Sequence, residues 1–139
     1  MSTSIIRQYT VLVTLLFPIT SIGFDQPDSL PANLTAIIDS RTEGLSDEEI
    51  LTHNEWTPAK LLGEFFCQEI GLKELGKKLT GADRIFIDGI EQAPKFIAEN
   101  RITGFGSVRY QEGWKDFTYE CAVDMETGDA LDFIYTEAS

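Results

Sequence analysis

The most constraining feature of this sequence is a regular alternation of apolar and polar residues between Ile102 and Thr136. The alternation comes in three runs, 102–110, 117–125 and 131–136, separated by two short segments that each contain a glycine. A period of two residues is typical of a β-strand with one buried face. Connections this short place consecutive strands side by side and antiparallel. The stretch therefore predicts an antiparallel sheet with an apolar face that the rest of the chain must cover.

Helical patterns precede the alternation and supply that cover. Ser46 and Glu49 have the spacing of a capping box, which predicts a short helix over 46–53. Thr57 is a natural N-cap and Pro58 suits a first helical position, so a main helix is expected to start there. The apolar residues that then recur at helical spacing are Leu62, Phe66, Ile70, Leu72, Leu75 and Leu79.

The order of these patterns indicates the fold class. We expect Gly71 to end the main helix or to bend it, with a further amphipathic stretch up to Gly81. Residues 82–90 are a short β-branched and aromatic run, which predicts a first strand, and 91–100 have the composition of a loop, with or without a helical turn. Helices followed by strands are typical of the α+β class. The predicted fold has N-terminal helices packed on one face of an antiparallel meander of about four strands.

The N-terminus has the pattern of a secretory signal peptide. Arg7 precedes the apolar run 11–17, and small residues occupy the −3 and −1 positions of a cut between Gly23 and Phe24. The apolar run is shorter than the roughly 20 residues of a membrane span, and an uncleaved anchor or a buried core strand are the alternatives. We expect a periplasmic or secreted protein. The expected division is a signal peptide at 1–23, an extended leader at 24–45 and a single α+β domain at 46–139.

The leader is rich in proline, aspartate and serine, a composition typical of segments with little structure of their own. Leu34, Ile37 and Ile38 would allow one helical turn that docks on the core. The expectation is otherwise an extended segment that precedes the domain.

The two cysteines, Cys67 and Cys121, connect the helical part of the chain to the alternating part. Cys121 is in phase with the apolar residues of its run, and Cys67 borders the apolar stripe of the main helix. An even number of cysteines in an exported chain indicates a disulfide, and a reactive thiol is the alternative. We therefore expect one bridge between helix and sheet. Gly104 and Gly106 indicate either a bulge or a place where another group, most simply the helix or the bridge, approaches the strand closely.

The charge of the chain limits its partners. The formal net charge is −12, and removal of 1–23 would take away one basic and no acidic residue, which leaves −13. Such a surface repels phosphate groups, so nucleic acid and anionic lipid are not expected as partners. No stable membrane span is expected after signal cleavage. The acidity serves either solubility or the attraction of a basic partner.

No catalytic constellation stands out in the sequence. The one histidine, His53, has no neighbours at the spacing of a nucleophile or zinc motif. The acidic loop 124–129 lacks the ligand spacing of a calcium loop, so we expect a solvated turn there, with no metal and no cofactor. A small hydrolase would need paired carboxylates, such as Glu120 and Asp132, to meet in a cleft.

Candidate binding residues lie at a hairpin tip and on the polar face of the predicted sheet. Trp114 follows Glu112 and Gly113 in a tight turn, so its ring either anchors a partner or folds back over the sheet edge. Arg109 and Glu120 are on the polar face, where cross-strand pairs are expected.

The residues from about 60 to 136 also resemble a known family. A cysteine on a helix is followed by a short strand, then by glycine, a strand, a Gly-Trp pair, an aromatic strand that ends in cysteine, and a closing aromatic strand. This order resembles domain-of-unknown-function family 930, small exported proteins of Gram-negative bacteria, although this chain is more acidic. The matching positions are Gly106, Val108, Arg109, Gly113, Trp114, Phe117, Tyr119, Cys121, Leu131, Phe133 and Ile134. The resemblance implies the fold, the disulfide and the exported location, but no catalytic residue.

Three functions are compatible with these features. The first is a non-catalytic exported module that binds a protein or an envelope component. The second is an enzyme inhibitor or secreted effector that acts through the acidic surface and the hairpin tips. The third is a small hydrolase. The sequence favours the first and does not predict an oligomeric state.

Overall fold

The structure is a computed structural model that describes residues 24–87 and 93–138. The predicted signal peptide, with the Gly23 side of its cleavage position, lies outside the described residues. The helices are α1 (Ala32–Arg41), α2 (Asp47–Asn54), α3 (Pro58–Leu62) and α4 (Gln68–Gly76), and a π-helical turn (Gly63–Cys67) joins α3 to α4. The strands are β1 (Arg84–Ile87), β2 (Lys95–Ala98), β3 (Arg101–Tyr110), β4 (Gly113–Val123) and β5 (Ala130–Glu137). We call α3, the π turn and α4 together the main helix.

The strands form one antiparallel sheet. Its order is β1-β3-β4-β5, and β2 pairs with β3 on the same side as β1. Along β3, residues 106–109 pair with β1 and residues 101–103 pair with β2, so the two short strands share one edge. The core packs between the helices and one face of this sheet. The predicted α+β fold, with helices on one face of an antiparallel sheet, is confirmed.

The strand β2 lies in the segment 91–100, which we expected to be a loop. Phe96 is only 2% exposed and pairs with Ile102, which draws this segment into the sheet. The Phe96 N–H donates to Gln26 Oε1 (2.7 Å), and its carbonyl accepts from Gln26 Nε2 (2.9 Å). Four residues are too few for a period of two to stand out against the loop-like residues around them.

The main helix begins where its capping residues predict. Thr57 Oγ1 accepts a hydrogen bond from the Lys60 N–H (3.2 Å), and Pro58 occupies the first turn. The expectation that Gly71 ends or bends this helix is wrong, because Gly71 lies inside α4 and is buried. A Cβ at this position would lie 2.8 Å from the Phe133 ring. Glycine is therefore required here by close packing against β5.

The expectation of an extended leader is wrong over α1. Leu34 and Ile38 lie one turn apart on this helix, and both are buried in the core. The Asn33 amide donates to the carbonyls of Met125 (2.9 Å) and Glu126 (2.6 Å) in the loop between β4 and β5. Most helical stability in proteins comes from tertiary packing, so these contacts explain why a segment of helix-poor composition forms ten residues of helix.

Cys67 and Cys121 form the predicted disulfide. Cys67 ends the π turn and Cys121 lies in β4, with their Cα atoms 6.3 Å apart and neither side chain exposed. The bridge therefore crosses the core and attaches the main helix to a central strand. The larger core side chains around it include Leu62, Phe66, Leu75, Ile102, Val108, Phe117, Tyr119 and Phe133.

Gly104 and Gly106 permit close packing, but the groups above them are aromatic rings of β4 and not the main helix or the disulfide. Gly104 is the cross-strand partner of Tyr119, and Gly106 is the partner of Phe117. A Cβ on Gly106 would lie 2.5 Å from the Phe117 ring, and one on Gly104 would lie 3.0 Å from the Tyr119 hydroxyl. The two rings thus cover the part of β3 that has no side chains, a known way to stabilise glycines in strands.

Candidate functional site

The outer face of the sheet, opposite the main helix, is the candidate site. Side chains of a strand alternate between the two faces, so every second residue of β1 to β5 points away from the core. On this face the large apolar side chains are 39–56% exposed, whereas Ile85, Phe96 and Phe133 on the inner face are buried. The five are Phe86, Ile97, Phe105, Trp114 and Ile134. Exposed apolar groups that share one face indicate a contact surface more than isolated ones do.

The largest apolar group on the outer face is a stacked pair of rings. Trp114 and Phe86 have ring centroids 5.4 Å apart and ring planes 13° apart. Trp114 is the cross-strand partner of Arg109 on β3, while Phe86 lies on β1, so the indole reaches across β3. Of the two alternatives for Trp114, the ring folds back over the sheet and still stays half exposed. Phe86 was missed by sequence reasoning, although its position between buried Ile85 and Ile87 was a usable signal.

The tip of the β3–β4 hairpin carries the remaining candidates from that turn. Glu112 is exposed beside the turn. Gly113 has φ +123°, a backbone conformation that side chains disfavour, and open space lies around it. The tip is therefore a tight glycine turn, and the bulky side chain next to it belongs to the outer face.

Arg109 is held in an ion pair with Asp83. Its Nε donates to Asp83 Oδ1 and its Nη2 donates to Oδ2, each at 2.9 Å. These hydrogen bonds hold the pKa of Asp83 below its ordinary value of 3.8, and they raise the pKa of Arg109. A two-pronged pair of this kind fixes the direction of the guanidinium. Arg109 thus presents a planar, oriented group beside Trp114.

Glu120, the other predicted polar residue, shares a cation with Asp132. Arg101 donates from Nη1 to Glu120 Oε1 (3.3 Å) and from Nη2 to Asp132 Oδ2 (2.8 Å). The hydrogen bond to Asp132 is the main reason that the pKa of Arg101 is raised. The structure therefore brings together the two carboxylates that a hydrolase would need. Both act as acceptors for one guanidinium on an open sheet, whereas a glycosidase needs one carboxyl group that donates a proton.

Charge on the outer face is divided between its two halves. On this face the cations are Arg84, Lys95, Arg101 and Arg109 on the first three strands, and the acids of β4 and β5 that point to it are Asp116, Glu120 and Asp132. Asp83, just before β1, adds one acid beside Arg109. Among the residues that the structure describes, this face therefore has four cations and four acids, although the chain carries −12.

A groove of about 680 Å³ lies on the helical side of the molecule, between α1, the main helix and the β4–β5 loop. Arg41 lies over the Phe66 ring at 5.2 Å, and it donates a hydrogen bond to the Phe65 carbonyl in the π turn. Lys73 and Asp129 line the same groove. The Arg41 guanidinium would be the group to attract a ligand to this groove. Its contacts with Phe66 and with the Phe65 carbonyl instead attach α1 to the main helix.

The acidic loop 124–129 forms its own internal hydrogen bonds. Asp124 Oδ1 accepts from the N–H groups of Glu126 (2.8 Å) and Thr127 (3.3 Å), and Thr127 Oγ1 accepts from the Asp129 N–H (3.1 Å). In the described part of the chain, no group of three or more histidine, cysteine or acidic residues could hold a metal ion.

Within residues 24–87 and 93–138, no helix has the length and apolarity to cross a membrane.

Comparison of the chain with protein-family models, with curated proteins and with solved structures gives no match. The resemblance to family 930 therefore stays a prediction.

Proposed function

We propose that the protein is an exported, non-catalytic binding module that holds a partner protein or envelope component on the outer face of its sheet. The observation that carries this proposal is the position of five half-exposed large apolar side chains on one neutral face of an acidic chain. Aromatic side chains, with arginine, are enriched where proteins bind one another. The outer face offers Trp114, Phe86, Phe105 and oriented arginines in this combination.

Several side chains of the outer face are already held in fixed orientations, which supports a role of this face in binding. The Trp114 ring is held by Phe86, and Arg109 and Arg101 are held by carboxylates, before any partner arrives. Side chains that are already oriented lose less conformational entropy on binding. The disulfide between Cys67 and Cys121 limits motion of the sheet beneath them.

Export is supported by the same disulfide together with the N-terminal pattern. Buried disulfides persist in oxidising compartments, which include the periplasm and the extracellular medium. The signal pattern of residues 1–23 would deliver the chain to such a compartment. The disulfide and the signal pattern depend on different residues, and both support the same location.

The two other functions that the sequence allowed have less support. The hydrolase requires distinct roles for Glu120 and Asp132, but both are acceptors for Arg101. The inhibitor or effector requires a side chain that projects from the hairpin tip, but the Trp114 ring lies against Phe86 on the outer face.

Site-specific photo-crosslinking in cells that express the full chain tests this proposal. A photoreactive phenylalanine analogue replaces Phe105 in the middle of the outer face, and the same analogue replaces Ile50 on α2 as a control of similar exposure (44% and 38%). We expect a discrete adduct from position 105 and none from position 50. Equal labelling from both positions, or no adduct from position 105, would overturn the proposed binding face.

A further inference from the structure

We propose that the partner on the outer face is a second copy of this chain, bound face to face about a two-fold axis that runs parallel to the strands. This inference rests on the proposed function, because it uses the same surface. The inference adds to the proposed function the identity of the partner and the direction of the two-fold axis. The two sheets would lie in the middle of a four-layer particle, with the helices of each subunit outside.

The division of charge on the outer face is the observation from which we infer that the partner is a second copy of this chain. One half of the face, formed by β1, β2 and β3, carries Arg84, Lys95, Arg101 and Arg109, together with one acid, Asp83, which pairs with Arg109. The other half, formed by β4 and β5, carries Asp116, Glu120 and Asp132. A surface with this pattern is complementary to a copy of itself that is turned so that the halves exchange places.

Symmetry decides which turn achieves the exchange. In a two-fold dimer the same patch is used by both subunits. An axis parallel to the strands, between β3 and β4, places the cationic half of each subunit over the acidic half of the other. An axis across the strands would place cations over cations and acids over acids, which costs several kcal/mol for close like charges. Of these two axes, only the one parallel to the strands places opposite charges of the two subunits next to each other.

The apolar side chains suit the same arrangement. Two sheets that pack face to face lie about 10 Å apart, and the side chains of the facing surfaces fill the space between them. Phe105 lies on β3, next to the proposed axis, and Ile134 and Ile97 lie on the two outer strands. Each is at least 39% exposed in the single subunit and would become buried.

The neutrality of the outer face explains how an acidic chain could pair with itself. A net charge of −12 repels a second copy at long range. Because the cations and acids on the outer face are equal in number among the described residues, the excess negative charge of those residues lies on the other surfaces, which would point away from the interface. The contact surface itself carries no net repulsion.

Sedimentation velocity of the mature, oxidised chain in a concentration series tests the dimer. We expect a species of twice the subunit mass. Lys95→Glu adds a negative charge to the cationic half and should weaken dimerisation about tenfold. Lys73→Glu, at a lysine on α4 that is also exposed, alters the net charge by the same amount and should leave dimerisation nearly unchanged. Equal weakening by both variants would overturn the assigned face, since net charge alone would then explain it.

The photo-crosslink at position 105 separates failure of this inference from failure of the proposed function. An adduct of twice the subunit mass supports the second copy. An adduct with a different protein, together with a monomer in sedimentation, overturns the self-pairing and leaves the binding function in place. A monomer that gives no adduct at all overturns both.

Discussion

Trp114 stacks on Phe86 although their strands, β4 and β1, are not neighbours in the sheet. The indole crosses β3 to make this contact, with ring centroids 5.4 Å apart. This contact therefore links β4 to β1 across β3 on the face that the main helix does not cover. The stacked rings are held in place beside Arg109 on the outer face. The strength of this contact can be measured without any partner.

A double-mutant cycle measures the stacked pair. We expect Phe86→Leu and Trp114→Leu to show a coupling of about 0.5–1.5 kcal/mol in the free energy of unfolding, the range for aromatic pairs. Phe105→Leu with Trp114→Leu is the control cycle, because Phe105 is four residues from Arg109, about 13 Å along β3. Urea unfolding followed by circular dichroism gives both values. A coupling near zero for the first cycle would contradict the stack.

Removal of the disulfide should cost a large part of the stability. The bridge closes a loop with a sequence separation of 54 residues. In the chain-entropy model such a loop is worth about 4 kcal/mol, because the bridge restricts the unfolded chain. We expect Cys67→Ala/Cys121→Ala to lower the free energy of unfolding by about this amount in non-reducing urea titrations. Reducing agent should destabilise the natural chain and leave the variant unaffected; an equal response of both would argue against the bridge.

Gly71→Ala should destabilise the protein even though alanine favours helices. The added Cβ would lie 2.8 Å from the Phe133 ring in the core, and overpacking of this kind costs about 1–3 kcal/mol. Gly76→Ala in the same helix is the matched control, since its Cβ would meet nothing closer than 3.9 Å. That control should stabilise by about 0.5–1 kcal/mol through helix propensity. Thermal unfolding would refute the packing explanation if both variants gained stability.

The ion pair of Asp83 and Arg109 should produce a defined pH dependence. The pKa of Asp83 is lower in the folded chain than its ordinary value of 3.8, chiefly because Arg109 donates hydrogen bonds to it. Its contribution to stability is therefore present above pH 3.8 and is lost as the pH falls through the lower, folded pKa. Carboxyl carbon NMR should give a folded pKa below 3.8 for Asp83 and a return toward this value in Arg109→Gln. An unchanged midpoint in that variant would exclude the ion pair as the cause.

Much of the fold was predictable from local patterns. Ser46 and Thr57 cap helices through hydrogen bonds to the N–H groups of Glu49 and Lys60, as their spacing predicts. The alternation from Ile102 onward corresponds to β3, β4 and β5. These signals are local, because a cap or a strand period depends on residues within a few positions of one another.

The candidate site was only partly predictable. Arg109 and Glu120 do lie on the outer face, as the strand period predicts, and the Trp114 ring takes one of its two predicted alternatives by folding back over this face. Their partners Phe86, Asp83 and Arg101 were not identified, because those pairs depend on which strands become neighbours. Pairing across a sheet is set by the register of whole strands, which a single strand's residues do not reveal.

By itself, the sequence determined the α+β class, the helix starts, the three long strands and the cysteine pairing, since each follows from periodicity, capping or cysteine count. Only the tertiary structure decided that α1 and β2 form and that Gly71 is a packing position. Those features depend on distant contacts, such as Gln26 with Phe96 across 70 residues and Asn33 with Met125 across 92. The division of charge on the outer face has the same origin, because strand order places the cations and the acids on separate halves.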